Sequence, residues 1–169
     1  MDPLFFGDSY DIVKRFFCGE LAALGYEVVA DPMFTGDWGE SQRHFFNFIK
    51  SKPLAEASQP SRRALFLDPN TGVNGKGSMR HVSIDRLARE AAGYEIVFSF
   101  DQSFSRQFKP GEVMASKLSA LQEHGCHGMY YDSHARFIFL SRTARSLGEV
   151  HAHLVSLGLP AKRLLRSGT

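Results

Sequence analysis

Residues 64–70 read ALFLDPN, and this short stretch decides the class of fold. Four apolar residues in a row are typical of a strand buried on both faces, and Asp68-Pro69 ends the run because this dipeptide favours a turn. The sequence therefore predicts a buried strand that stops at a polar turn. The same pattern predicts three more such strands, the first of them at residues 4–6, in the segments FFGDSY at Asp8, FSFDQS at Asp101 and YYDSHA at Asp132.

Helical patterns lie between these strands. Apolar residues recur at helical spacing in residues 10–24, 84–91, 113–121 and 146–157, and Asp8 or Ser9 is placed to cap the first helix. Because parallel neighbours need a crossover connection, this alternation predicts an α/β fold. We expect a Rossmann-like, three-layer α/β/α sandwich with a mainly parallel central sheet, and loops at 51–61 and 70–78.

The size and composition suit one compact domain over residues 1–169. The chain is 43% hydrophobic, and its formal net charge of +2 is too small for the basic field of a bulk nucleic-acid coat. Cys18 and Cys126 lack the CxxC spacing of a zinc or redox site. No stretch has the length and apolar composition of a membrane helix. We expect a cytoplasmic monomer with no cofactor and no membrane partner.

The aspartates at the predicted strand ends are the strongest indication of a site. Ligands bind at the carboxyl edge of an open parallel sheet, so Asp8, Asp68, Asp101 and Asp132 are expected to converge there. Clustered carboxylates repel one another unless they bind a cation or face a substrate that develops positive charge. The pattern is typical of a metal-dependent nuclease, a glycosidic-bond hydrolase or a serine hydrolase.

Four segments, taken in order, resemble the motifs of the uracil-DNA glycosylase superfamily. GDSY at residues 7–10 is similar to its water-activating GQDPY motif and is one residue shorter. LFLD at 65–68, followed by PNTGV, corresponds to the LLLN strand and the TV-containing loop of that family. VFSFDQS at 97–103 corresponds to its VFLLWGS strand, and DSHARF at 132–137 stands where the family has HPSPLS. The resemblance spans most of the chain, and each motif differs in part.

The resemblance implies a DNA glycosylase, an enzyme that hydrolyses the N-glycosidic bond of a flipped-out base and leaves an abasic site. It assigns Asp8 to the activation of water or the stabilisation of the positive sugar. His134 then supports the oxygen of the leaving base, Tyr10 borders the C5 edge of the base, and Asp101 belongs to the base pocket. DNA is the expected partner, and the reaction needs no metal.

Base flipping also requires a wedge, a stacking surface and contacts to phosphates. Arg136 or Phe137 is the expected wedge, and Phe34 or Trp38, in the loop DPMFTGDW, is the expected stacking surface. Arginines in loops or near strand ends are candidates for phosphate contacts, among them Arg80 and Arg106.

One departure from the family is chemically informative. Asp68 stands where the asparagine of the family reads the edge of uracil. A carboxylate only accepts hydrogen bonds, and the N4 amine of cytosine only donates them, whereas uracil presents the acceptor O4 at that edge. The sequence therefore predicts that Asp68 selects cytosine or a modified cytosine. We expect it in an open pocket, where replacement by asparagine changes folding little.

The residues leave three alternatives open. A divalent-metal nuclease would use Asp8, Asp68, Asp101 and Asp132 as ligands and would lose all activity with a chelator. A GDSL-type esterase, suggested by FGDS at residues 6–9, would use Ser9 as its nucleophile. That family also has Asp-x-x-His, whereas here the pair 132 and 134 is one residue closer. A non-enzymatic nucleic-acid-binding module would account for the polar loops without a reaction.

Overall fold

The computed structural model describes residues 2–58, 62–75, 77–78, 80–104 and 109–167. Within these residues the helices are α1 (Ser9–Ala23), α2 (Ser41–Ile49), α3 (Ile84–Glu90), α4 (Pro110–Glu123) and α5 (Ala144–Ser156). Single turns of 3-10 helix occur at Pro3–Phe5, Leu54–Glu56 and Ala161–Arg163. The strands are β1 (Glu27–Asp31), β2 (Lys52–Pro53), β3 (Arg63–Leu67), β4 (Gly72–Asn74), β5 (His81–Ser83), β6 (Ile96–Phe100), β7 (His127–Tyr131), β8 (Phe137–Ser141) and β9 (Leu164–Arg166).

Seven strands form one central sheet in the order β2-β1-β3-β6-β8-β7-β9. The first four are parallel neighbours, whereas β8 is antiparallel to both β6 and β7, and β9 is antiparallel to β7. β7 therefore points the same way as the first four strands, so five of the seven share one direction and the predicted mainly parallel sheet is confirmed. The exception at β8 follows from its connection, because the five residues 132–136 are too few for a crossover and form a hairpin instead.

Helices cover both faces of this sheet, which confirms the three-layer α/β/α sandwich. α1, α2 and α5 pack on one face, and α3 and α4 pack on the other. Side chains of β3 alternate between the two cores, with Phe66 in the first and Leu65 and Leu67 in the second. Because both faces are covered, residues 64–67 of this strand are apolar without interruption.

The helices predicted from apolar spacing are present at nearly the predicted positions. The side chain of Ser83 caps α3 by accepting a hydrogen bond from the Arg86 backbone N–H at 3.1 Å. None of the helices in the described part of the chain has the length and apolar composition needed to cross a membrane.

The amino-terminal segment differs from the prediction. Residues 4–6 form no strand, because Pro3–Phe5 is a turn of 3-10 helix, and its N-cap Asp2 accepts a hydrogen bond from the Leu4 N–H at 3.0 Å. Proline favours such a turn at its first position, where its φ is already suitable and its missing N–H would have no partner. Asp8 therefore ends no strand. It caps α1, which begins at the carboxyl edge of the sheet and runs back toward β1.

Two segments predicted to be loops contain short strands. β2 lies in the segment 51–61 and pairs with β1. β4 lies in the glycine-rich segment and pairs with β5 as a separate two-stranded sheet. Gly72 has a φ of +119°, and a Cβ atom there would lie 2.6 Å from the Gln102 nitrogen and against Asp101 Oδ1. This close approach requires glycine.

Candidate functional site

A cavity of about 450 Å³ opens at the carboxyl edge of the sheet, beside the ends of β3 and β6. Its walls come from the amino-terminal turn, the start of α1 and the segments that follow β3 and β6. Of the predicted site residues, Asp8, Tyr10, Asp68 and Arg80 line it. Its volume falls within the ~300–1,000 Å³ common for small-molecule sites. The predicted edge of the sheet therefore holds a cavity with several of the predicted residues.

A buried ion-paired lysine forms the floor of the cavity. The Lys14 ammonium lies 2.9 Å from Asp11 Oδ1 and 2.8 Å from Asp68 Oδ2, and the side chains of Lys14 and Asp68 are 5% and 1% exposed. Burial lowers the pKa of Lys14, but the attraction of Asp68 and Asp11 outweighs it, so the pKa is raised. Burial raises the pKa of Asp68 despite the neighbouring ammonium. Lys14 is therefore charged at neutral pH and joins α1 to the end of β3.

Asp8 lies on the rim of the cavity and caps α1 with one of its two carboxylate oxygens. Its Oδ1 accepts hydrogen bonds from the backbone N–H groups of Tyr10 at 2.8 Å and Asp11 at 3.1 Å, which caps α1. Its Oδ2 accepts no hydrogen bond from the described residues. The cap fixes the side chain, and the second oxygen is left for water or a ligand.

Tyr10 and His134 join the first and last segments of the resemblance. The Tyr10 hydroxyl lies 2.9 Å from His134 Nε2, and the two rings stack with centroids 5.4 Å apart. Tyr10 also packs edge-on against Phe100 at 5.2 Å, and Gln102 Nε2 donates a hydrogen bond to the His134 carbonyl. The segments 7–10, 65–73 and 97–103 therefore line the cavity, while His134 of the fourth segment contacts the first and third of them and is not among the lining residues.

The segment after β3 adds polar groups to the wall. Asn70 Nδ2 donates to Thr35 Oγ1 at 2.9 Å, while Asn70 Oδ1 is buried and has no hydrogen-bond partner among the described residues. The Arg80 carbonyl accepts from both the N–H and the hydroxyl of Thr71, which fixes this loop. Arg80 lines the cavity, and its guanidinium forms no ion pair with the residues that the structure describes.

Asp101 lies outside the cavity, which corrects its expected place in the base pocket. The residue is fully buried and accepts five hydrogen bonds, all between 2.6 and 3.1 Å. Oδ1 accepts from the Val73 N–H and from the N–H and hydroxyl of Ser103, and Oδ2 accepts from Lys117 Nζ and the Tyr130 hydroxyl. Burial lowers the pKa of Lys117 and raises that of Tyr130. These bonds tie the end of β6 to β4, β7 and α4, so Asp101 organises the fold.

The expected wedge residues are not free to act as one. Phe137 is fully buried in β8, because both faces of this strand are covered by helices. The Arg136 guanidinium pairs with Asp132 at 2.9 Å and lies over the Phe104 ring at 4.7 Å. Arg106 lies outside the described residues.

The expected stacking residues belong to an aromatic part of the core. Trp38 is 3% exposed, and its ring centroid lies 4.4 Å from that of Phe34. Both rings also pack against Phe45 of α2. The loop DPMFTGDW is therefore anchored to α2 by its aromatic residues and does not present them to the cavity.

The described residues do not assemble the arrangements of the nuclease and esterase alternatives. Asp68, Asp101 and Asp132 each pair with a basic side chain. No group of three His, Cys, Asp or Glu side chains in the described ranges is placed to hold a metal ion. His134 contacts the Tyr10 hydroxyl instead of Ser9.

The sequence reasoning missed several residues of the site, chiefly Lys14, Asn70 and Gln102. A signal for Lys14 was present, because Asp11 and Lys14 occupy the same helical stripe as the buried residues Cys18 and Leu21. Charged residues on a buried stripe require partners. Comparison with models of protein families, with curated proteins and with solved structures finds no match.

Proposed function

We propose that the chain is a DNA glycosylase that hydrolyses the N-glycosidic bond of a flipped-out cytosine or modified cytosine bound in this cavity. One observation carries the proposal. Asp8 is fixed by its helix cap, and its second carboxylate oxygen, which accepts no hydrogen bond from the described residues, lies on the rim of a cavity large enough for a nucleobase. The meeting of the four segments that resemble the glycosylase motifs supports it.

In the proposed reaction Asp8 acts on the sugar. The bond between C1′ and the base nitrogen breaks, which leaves positive charge on the sugar and the electron pair on the base. Asp8 Oδ2 stabilises this positive charge and orients the attacking water. The water oxygen bonds to C1′, and its two protons end on the new sugar hydroxyl and on the departing base.

The remaining residues of the cavity act on the base. Lys14 below the cavity holds the Asp68 carboxylate in place and compensates part of its negative charge. Tyr10 and Phe100 form an aromatic wall that borders the base, and the contact of the Tyr10 hydroxyl with His134 fixes the Tyr10 ring. Asp68 accepts a hydrogen bond from the exocyclic amine of the base at the bottom of the cavity. The same carboxylate is ion-paired with Lys14.

The test uses oligonucleotides that each carry one cytosine, modified cytosine or uracil at a defined position. After incubation in excess chelator, mild alkali cleaves any strand that contains an abasic site, and the products are separated by length. We expect alkali-dependent cleavage at a cytosine-type base, undiminished by the chelator. Strand breaks that need no alkali, and that depend on added Mg²⁺, would contradict the proposal and support a nuclease.

Asp68→Asn is expected to change base preference. The amide presents a donor as well as an acceptor, so preference for cytosine-type bases over uracil should fall by about 1–3 kcal/mol, the value of one good base-edge pairing. Relative rates of abasic-site formation on matched oligonucleotides measure this change. The expectation that folding is little affected is revised, because Asp68 is buried and paired with Lys14. An unchanged preference in the folded variant would remove Asp68 from base selection.

A further inference from the structure

The turn Pro3–Phe5 presents two apolar side chains to solvent at the mouth of the cavity. Leu4 is 88% exposed and Phe5 is 62% exposed, more than any other large hydrophobic residue in the described part of the chain. Phe5 also lines the cavity. Large apolar side chains that stay in water beside a ligand site are typical of a surface that contacts a partner.

The fold holds this turn in place. The Asp8 N–H donates to the Phe5 carbonyl at 3.2 Å, which links the turn to the start of α1. The next ring, that of Phe6, packs with centroid distances of 5.9–6.2 Å against Trp38, Phe45 and Phe48. Leu4 and Phe5 are therefore exposed by an anchored turn, in a fixed position relative to Asp8.

We propose that Phe5, with Leu4 beside it, stacks on the base that neighbours the flipped-out nucleotide. This inference rests on the proposed function. An aromatic ring stacks on any base, and an apolar wedge fills the gap that a flipped base leaves. Arg80 lines the same cavity and forms no ion pair with the described residues, and its positive charge is complementary to a phosphate of the same strand. At the mouth of the cavity the Phe5 ring can therefore contact a base while the Arg80 guanidinium contacts a phosphate of the same nucleic-acid strand.

The test measures binding separately from catalysis. A labelled single-stranded oligonucleotide that contains a tetrahydrofuran abasic analogue is titrated with each protein, and fluorescence anisotropy gives the Kd. Phe5→Ala should raise the Kd about five- to hundredfold, the range expected for loss of one base–aromatic stack. Phe5→Trp should retain the wild-type Kd. Ile12→Ala is the matched control, because Ile12 is also exposed, at 55%, but is not among the residues that line the cavity.

Three results would overturn the stacking role: no binding by the wild type, an unchanged Kd in Phe5→Ala, or equal weakening in Ile12→Ala. Base release by the same proteins separates this inference from the proposed function. Phe5-dependent binding without base release contradicts the glycosylase and leaves the stacking role in place. Base release together with binding that is independent of Phe5 contradicts the stacking role alone.

Discussion

Asp8→Asn is expected to lower the rate of base release by about 10²–10⁴-fold, the range typical for loss of one acid–base group, while the protein stays folded. Asparagine caps a helix about as well as aspartate, so the bonds from Asp8 Oδ1 to the Tyr10 and Asp11 N–H groups can be kept by the amide oxygen. The substitution removes only the negative charge and the free carboxylate oxygen. Abasic-site formation and thermal unfolding of the same preparations measure the two effects.

Two further variants serve as controls for this result. Asp37→Asn removes another loop aspartate whose Oδ1 accepts a backbone N–H, that of Gly39 at 3.0 Å, and should leave the rate unchanged. Asp8→Ala removes the cap as well and should lower the free energy of unfolding by about 0.5–2 kcal/mol. Full activity in a folded Asp8→Asn protein would exclude Asp8 as the group that acts on the sugar.

Lys14→Met is expected to lower the free energy of unfolding by about 3–5 kcal/mol, because it leaves uncompensated carboxylates in the protein interior. Asp11 and Asp68 are both buried, and Lys14 is the cation between them. Methionine fills a similar volume to lysine, so the packing changes little. The lower free energy of unfolding then results mainly from the lost positive charge. Urea denaturation of the two proteins measures it. A loss below about 1 kcal/mol would show that the ion pair is not needed for stability.

Rescue and pH dependence separate the charge from other effects of Lys14→Met. Adding Asp11→Asn and Asp68→Asn removes the unpaired charges and should restore most of the stability. The pKa of Lys14 is raised in the folded protein, since the attraction of Asp68 and Asp11 exceeds the effect of burial. Its stabilisation is therefore complete below the ordinary lysine pKa of 10.5 and is lost as pH rises through the folded value. The difference between wild type and variant should shrink above that pH.

The layered fold was predictable because it depends on local patterns. The strand at residues 64–67 is uniformly apolar and is followed by the turn-forming Asp68-Pro69, and both properties can be recognised without knowing the neighbouring strands. The strand predicted at residues 4–6 was wrong, since an apolar triplet has no periodicity and Pro3 was enough to favour a 3-10 turn. β8 runs antiparallel to its neighbours because the connection from β7 is short. The apolar pattern of a strand does not indicate its direction in the sheet.

The site was less predictable, because burial and pairing join residues that are far apart in the chain. Asp68 and Asp101 end adjacent strands in the same way, yet one lies at the floor of the cavity and the other is bound by five donors away from it. Both aspartates follow an apolar strand, and their buried partners distinguish them. Asp68 pairs with Lys14, whereas Asp101 is bound by Lys117 and by groups of Val73, Ser103 and Tyr130. Phe137 is a wedge candidate because DSHARF stands where the resembled family has its HPSPLS motif, but it lies in a strand that is covered on both faces.

Detection of the free base tests directly whether the protein releases a base from DNA. Wild-type protein is incubated in chelator with an oligonucleotide that carries one cytosine-type base, and the small-molecule fraction is analysed by mass spectrometry. We expect free base in amounts equal to the abasic sites formed, with about 10²–10⁴-fold slower release by Asp8→Asn. A small-molecule fraction that holds nucleotides with the glycosidic bond intact, or no base for any cytosine-type substrate, would contradict it.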